Sequence, residues 1–452
     1  MSSAASSPVQ PVGPFEDLQV HDLAEGVRLQ CQKIWEGSDI NVGEEIKETR
    51  SRTFPVTVSH ETGTNEGFLF QIPNDASDIE LIASVHDYIH RELDLKANTP
   101  RVHHKNSGFD EPIGHPYLVL TRLPGQSLQE IWLELTHEQR LSVARQVGEL
   151  YLDLQSATNT HCGVLKVPVD QFGHSTPGNV LLEAFGQERN PLSGGNDREP
   201  VELIADDLVN GDSLRKDPPG LSARDMAILT FARRKYYSRW SRRAWVQQYT
   251  DCAVDILTTL SDESLSDGTI CLWHRDISAE NILVERDANG EPKITGLLGW
   301  NGVGFAPRFM TCRAPQWLWS RVGRKAVRFA PGPHDLYDDS LSTGGKGYPE
   351  IDEEPFEPFE PIKSEAREIK AAFDATVGKD FTEAAYDFTV IAARRLMYVA
   401  ACSVWELDHT QELDAVFSEW EQRQVRTRTF REKVQALLNG SGLGGGERRD
   451  SL

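Results

Sequence analysis

Between Leu272 and Phe305 the chain reads LWHRDISAENILVERDANGEPKITGLLGWNGVGF, and this stretch limits the fold more than any other. Two extended apolar runs, NILVERD and EPKITGLLGW, flank DANGE, where Asn289-Gly290 suits the positive φ angles of a tight turn. The resulting hairpin, residues 281–300, brings its open ends together. Asn281 and Gly299 are then near each other and near Asp276, so His274, Asp276 and Asn281 form a local cluster on a loop at 274–281.

A histidine, an aspartate two residues on and an asparagine five beyond that form a pattern suited to phosphoryl transfer. The aspartate takes or orients the proton of an attacking hydroxyl, the asparagine binds magnesium, and a second aspartate past the hairpin bridges the metal to the phosphates. Asp276 and His274 are accordingly the candidate catalytic residues, and Asn281 and Asn301 the candidate metal ligands. The second aspartate is missing, because its place in Leu298-Gly299-Trp300-Asn301 holds glycine. Magnesium prefers hard anionic oxygen and finds only neutral side chains in this segment. The plainer reading makes Asp276 a turn or cap acid and His274 a buried structural histidine.

The 452 residues, 39% of them hydrophobic, include ten Trp and eighteen Phe and are enough for a large buried core. No run of about 18 apolar residues spans a bilayer, and the opening MSSAASSPVQPVGPFEDL lacks the basic-then-apolar order of a signal peptide, so a soluble cytoplasmic protein is expected. Six scattered cysteines without CxxC spacing read as reduced structural thiols. A net charge of -22 argues against nucleic-acid binding by the surface as a whole. One stretch, FARRKYYSRWSRRAW, concentrates six cations at 233–243. It reads either as an amphipathic helix with Tyr236 and Trp240 turned to the core, or as a polyanion site.

Composition divides the chain. Residues 1–14 are Ser/Pro-rich and 439–452 Gly-rich, both expected to be disordered. Residues 15–122 hold the strand-like TFPVTVS and GFLFQIP, the helical DIELIASVHDYIHREL and the strand-like PYLVLTRL, a small β-rich lobe. Residues 123–438 read as mainly helical apart from the hairpin, starting with a helix capped by Thr136, and contain an acidic linker at 334–361.

These features together resemble the aminoglycoside phosphotransferase and choline kinase group, particularly its fungal members. HRDISAENILV resembles the catalytic loop, ITGLLGWNGVGFAP the metal-binding segment, PRFMTCRAPQWLW the run after it, and PYLVLTRLPGQSL the inter-lobe hinge; the similarity runs from about residue 50 to 435. The resemblance implies an α+β, two-lobed, protein-kinase-like fold with a small β-rich N-lobe and a large, mainly helical C-lobe. It also implies ATP and Mg2+ as cofactors, a small-molecule acceptor, and a nucleotide lying against Leu120, Thr121 and Leu123. Gln71 then stands where the family places a phosphate-binding cation, and Ile82, with Glu80 the nearest acid, where that cation's glutamate partner belongs. Three functions follow: ATP-dependent phosphotransfer to a small-molecule hydroxyl; a pseudokinase acting as a binding or scaffold protein; or a kinase fold turned to non-phosphoryl group transfer, with an RNA-linked or phosphate-rich donor at 233–243.

Overall fold

Alternating apolar residues in TFPVTVS and GFLFQIP produce the two long strands around which the N-terminal sheet is built. The computed structural model describes residues 20–47, 51–74, 78–109, 112–167, 180–185, 221–238, 244–260, 265, 268–300, 302–320, 363–401 and 413–425. The two termini, the acidic linker at 334–361 and Asn301 lie outside them.

In chain order the first elements are α1 (Val20–Ile34), β1 (Asp39–Val42), β2 (Ile46–Lys47), β3 (Ser51–Ser59), β4 (Asn65–Pro73), α2 (Asp78–Glu92), β5 (Val102–Asn106), β6 (Tyr117–Thr121) and β7 (Gln126–Ser127). A short α3 (Leu128–Ile131) and the long α4 (His137–Ser156) follow, then β8 (Thr158–Asn159), β9 (Gly163–Lys166), β10 (Leu181–Glu183), α5 (Ala223–Ser238) and α6 (Ala244–Thr258). The rest are β11 (Ile270–Trp273), β12 (Ile282–Arg286), β13 (Pro292–Leu297), β14 (Gly304–Pro307), α7 (Arg308–Thr311), α8 (Ser364–Val377), α9 (Lys379–Tyr386) and α10 (Phe388–Ala401). The result is a β-rich N-terminal part and a helical C-terminal part. No helix among the described residues is long and apolar enough to cross a membrane.

Two compact units form. The first takes the described residues of Met1–Gln146, Leu165–Leu181 and His274–Val303, so the loop and hairpin belong with the N-terminal sheet. That sheet runs β1-β3-β4-β6-β5, with β2 on β3. Phe54, Val56 and Val58 of β3 and Phe68, Phe70 and Ile72 of β4 point to one face, where they meet Leu23, Val27 and Cys31 of α1. The period of two on the strands and of four on the helix gives each element a single apolar side. On the opposite face Leu118 packs against Ile79 and Ala83 of α2.

The chain then turns through Pro124-Gly125, and β7 pairs with β12 of the hairpin. Gly125 has φ +104, and a Cβ there would lie 2.6 Å from the main-chain oxygen of Val284 and 2.9 Å from Thr295 Oγ1. Gly125→Ala is therefore expected to cost roughly 3 kcal/mol, from backbone strain added to a clash that rigid main chain cannot relieve. An unchanged denaturant midpoint in that variant would show that the turn can be rebuilt.

α4 opens with a reciprocal cap. Thr136 Oγ1 accepts from the main-chain N–H of Gln139 at 3.3 Å, and Gln139 Oε1 accepts from the N–H of Thr136 at 3.1 Å. The cap residue is the one expected from sequence, while its partner is Gln139.

The second unit comprises the described residues of Val147–Val164, Leu182–Trp273 and Gly304–Leu452. It contains a sheet in the order β10-β9-β14-β11-β8 and an aromatic core in which Tyr151 meets Phe373 and Phe381 edge-on. Arg394, buried in α10, donates to the carbonyls of Phe309, Cys312, Ala384 and Ala385. Its guanidinium thus satisfies carbonyls at the ends of α7 and α9 that no helix hydrogen bond reaches.

Candidate active site

The hairpin forms with β12 antiparallel to β13, Ile282 opposite Leu297, and a bulge between Leu283 and Val284. Its turn is longer than an Asn-Gly pair would make alone. Gly290 has φ +80, whereas Asn289 stays at negative φ, and the five-residue loop closes through main-chain bonds from Asp287 to Glu291 and from Gly290 back to Asp287. The Asp287 carboxylate, accepting from the N–H groups of Asn289 and Glu291, supplies the stabilisation that a second left-handed residue would have given.

At the open end the expected cluster assembles. Asn281 Nδ2 donates at 2.9 Å to the main-chain oxygen of Asp276 and at 2.9 Å to its carboxylate Oδ2. The N–H of Leu298 donates to Asn281 O at 2.8 Å, which fixes the asparagine between both strands of the hairpin. Gly299 follows at φ +80. A Cβ on residue 299 would lie 2.6 Å from Asn281 Nδ2 and 2.8 Å from its Cγ, so the amide fills the volume next to Gly299. Arg275, between the two loop residues of interest, is the one non-glycine residue at positive φ among those described, at 69°. That strain is local to the loop that carries Asp276.

His274 is placed inside the protein, 1% exposed, with its ring edge-on to Trp300 at 4.5 Å between centroids. Neither ring nitrogen completes a hydrogen bond. Burial pushes its pKa down to about 4, against the pull of the Asp276 charge and of weak interactions with the main chain at Leu298 and Asp276. A neutral, enclosed ring braces the loop from behind; the catalytic position considered for it from sequence has no access to a substrate.

In the sheet, Thr53, Gln71, Leu118 and Lys105 stand in one cross-strand row. Gln71 Nε2 donates to Ser51 Oγ at 3.0 Å. Glu80 has a different partner. Lys105 Nζ donates to its carboxylate at 2.6 Å and Ser107 Oγ at 2.5 Å, tying the first turn of α2 to β5. Burial raises the Glu80 pKa, but these bonds and the Lys105 charge outweigh it and leave the carboxyl below its ordinary value. Sequence reasoning missed Lys105, because its meeting with Glu80 depends on the β5–β6 register, which shifts at a bulge between Val102 and His104.

The hinge residues are brought to the hairpin. Leu120 pairs within the sheet opposite Leu69, while the Thr121 N–H donates to Arg101 O at 2.8 Å and the Arg101 N–H donates to Thr121 Oγ1 at 2.8 Å. Leu123 packs beside Gly296, and Thr295 Oγ1 donates to Pro124 O at 2.6 Å. A further connection was not foreseen from sequence. Asn98 accepts from the N–H of Leu297 at 3.0 Å and donates to Thr295 O at 2.9 Å, while on its other side His90 Nε2 reaches Pro100 O at 3.1 Å and Thr99 Oγ1 at 3.0 Å.

The basic stretch divides. Arg233 is fully buried in α5, with Nη1 3.4 Å from Phe185 O, so it is not part of a surface patch; the side chains of 234–243 lie outside those described.

No group of three His, Cys, Asp or Glu side chains among the described residues could hold a metal ion. The donor set around Asn281 fits Mg2+ poorly for a chemical reason. Its amide nitrogen faces Asp276, and residue 299 brings no carboxylate.

A β-rich N-terminal part, a helical C-terminal part and an Asp276–Asn281 loop closed by a hairpin define a kinase-like phosphotransferase fold. The phosphotransferase enzyme family matches residues 49–310, more than half of the chain, and the chain belongs to it. Among solved structures it is similar to the GDP complex of wild-type aminoglycoside 2'-phosphotransferase-IIIa, at 9% identity over 87% of this chain and 98% of that one, with a TM-score of 0.42. It is also similar to the aminoglycoside phosphotransferase APH(4)-Ia, at 16% identity over 64% and 75% of the two chains, TM-score 0.37. The apo form of a thermostable mutant of the latter gives 13% identity over 84% and 95%, TM-score 0.38. Likenesses this distant carry nothing about the donor or acceptor of this chain. No curated protein matches it.

Proposed function

We propose that the protein transfers the terminal phosphoryl group of ATP to a hydroxyl of a small molecule, with Asp276 as the proton acceptor. The observation that supports this best is the Asp276–Asn281 pair. Asn281 Nδ2 holds the carboxylate through Oδ2 and the residue's main chain through its carbonyl oxygen, and Oδ1 is the oxygen that would meet an incoming hydroxyl.

In the step itself the acceptor's proton passes to Asp276 and its oxygen forms a bond to the γ-phosphorus. The bond from that phosphorus to the bridging oxygen breaks, and its electron pair leaves with ADP. Positioning supplies much of the catalysis in such reactions. The segment Leu120, Thr121 and Leu123, of which Leu123 packs beside Gly296 of the hairpin, is the surface against which the nucleotide base would rest. Mg2+ does not fit the described donors, and no step is assigned to it.

A second reading, a pseudokinase that binds without transferring, is favoured by Gly299 and by the engagement of Gln71 with Ser51. Thermal denaturation with ATP distinguishes the two. Binding at a hundredfold excess over Kd stabilises by about 2.7 kcal/mol and is expected to raise the Tm by several degrees, followed by ADP release with a library of hydroxylated acceptors. No shift with ATP, either with Mg2+ or with EDTA, would remove the transfer reading and leave the binding protein.

A further inference from the structure

We propose that Asn281 is a positioning residue for Asp276 and that the loop has no divalent-cation site of its own. The catalytic consequence rests on reading Asp276 as the proton acceptor; the assignment of Asn281 does not.

Three observations carry it. The first is chemical. Both partners of the Asn281 amide nitrogen, the Asp276 carbonyl and carboxylate oxygens, are acceptors, each 2.9 Å away. Rotating the amide by 180° would set its oxygen against two oxygens, so the donor orientation follows from the partners and not from a choice between similar atoms. The second is spatial. The place of a Cβ on residue 299 is 2.6 Å from Nδ2, 2.8 Å from Cγ and 3.0 Å from Oδ1, so a side chain at residue 299 would push the amide out of this position. The third is the donor count. With the amide nitrogen given to Asp276, Asn281 has one neutral oxygen left, and Mg2+ requires near-octahedral coordination, usually with at least one carboxylate.

The amide therefore supplies to the Asp276 carboxylate a partial positive charge through a hydrogen bond, fixed in direction by the hairpin. Loss of the aspartate at 299 and the placement of Asn281 are two sides of one arrangement.

The test uses Mn2+ as the probe, followed by electron paramagnetic resonance of the free ion, with the full chain and with Asn281→Asp. In wild type the free-ion signal is expected to be unchanged at millimolar Mn2+, and Mg2+ is expected to leave the Tm unchanged. Asn281→Asp sets two carboxylates against each other. It is expected to lose stability without metal, to recover about 3 °C or more of Tm on adding Mg2+, and to deplete the free Mn2+ signal. Wild type that takes up one equivalent of Mn2+ and releases it on Asn281→Ala would overturn the proposal. The wild-type arm does not depend on the folding of any variant. A Tm shift with ATP that requires Mg2+ and loses that requirement in Asn281→Ala would overturn the Asn281 assignment while sustaining the transfer reading. ATP that fails to bind at all, with Mn2+ also unbound, would overturn the transfer reading and sustain the assignment.

Discussion

Asp276→Asn is expected to lower phosphoryl transfer by roughly 10²–10⁴-fold, the usual contribution of a positioned general base. The fold should survive, because the new amide can still turn its oxygen to the Asn281 donor that now binds Oδ2. ADP release measured alongside circular dichroism checks both parts. A folded variant within a few-fold of wild type would show that the acceptor hydroxyl gives up its proton without Asp276, as a late proton transfer in a loose transition state allows. Asp276 would then be kept for orientation alone.

A large effect is also expected from pH. Two histidines are held neutral by burial: His274 under the loop, and His86 on α2, whose pKa burial brings down to about 4, with the nearby His90 lowering it further and the Pro100 main chain opposing. Each titrates near 6.5 in the unfolded chain. Below that pH the unfolded chain takes up protons while the native protein does not, until about 4. Stability present above pH 6.5 is therefore lost as the pH falls from 6.5 to 4. From pH 7 to 5 each histidine is expected to contribute a loss of about 2 kcal/mol. Urea unfolding at the two pH values measures the sum, and His86→Leu and His274→Leu should each flatten the acid limb by its own share. If the double variant loses stability as steeply as wild type, the acid sensitivity belongs to other groups.

The parts of this site that were legible in the sequence are those that local chemistry decides. The loop and hairpin follow from eight residues and a turn, Thr136 from its place before an amphipathic run, and β3, β4, α2 and β6 from their periodicity. The helix α1 is hard to read from sequence, although Leu23, Val27 and Cys31 recur every four residues, because it lies next to a low-complexity start and its apolar stripe is narrow. Glu80 takes its partner from a strand two positions away in the sheet from Gln71, which no local pattern specifies. For His274 the spacing gave its place in the chain, while the packing of Trp300 decided its chemistry. Gly299 read as a loss; only the geometry shows what fills the space.

The segment from Asn98 to Pro100 has a mechanical meaning. α2 is pinned at its first turn by Lys105 and near its last by the contacts of His90 with Thr99 and Pro100, and the preceding residue, Asn98, grips β13 at Thr295 and Leu297. Helix, segment and hairpin behave as members of a truss. The series of bonds that starts on α2 ends at Leu297, two residues before the glycine beside which the Asn281 amide rests. The loop is thus tied to α2 through residues that lie outside the loop itself.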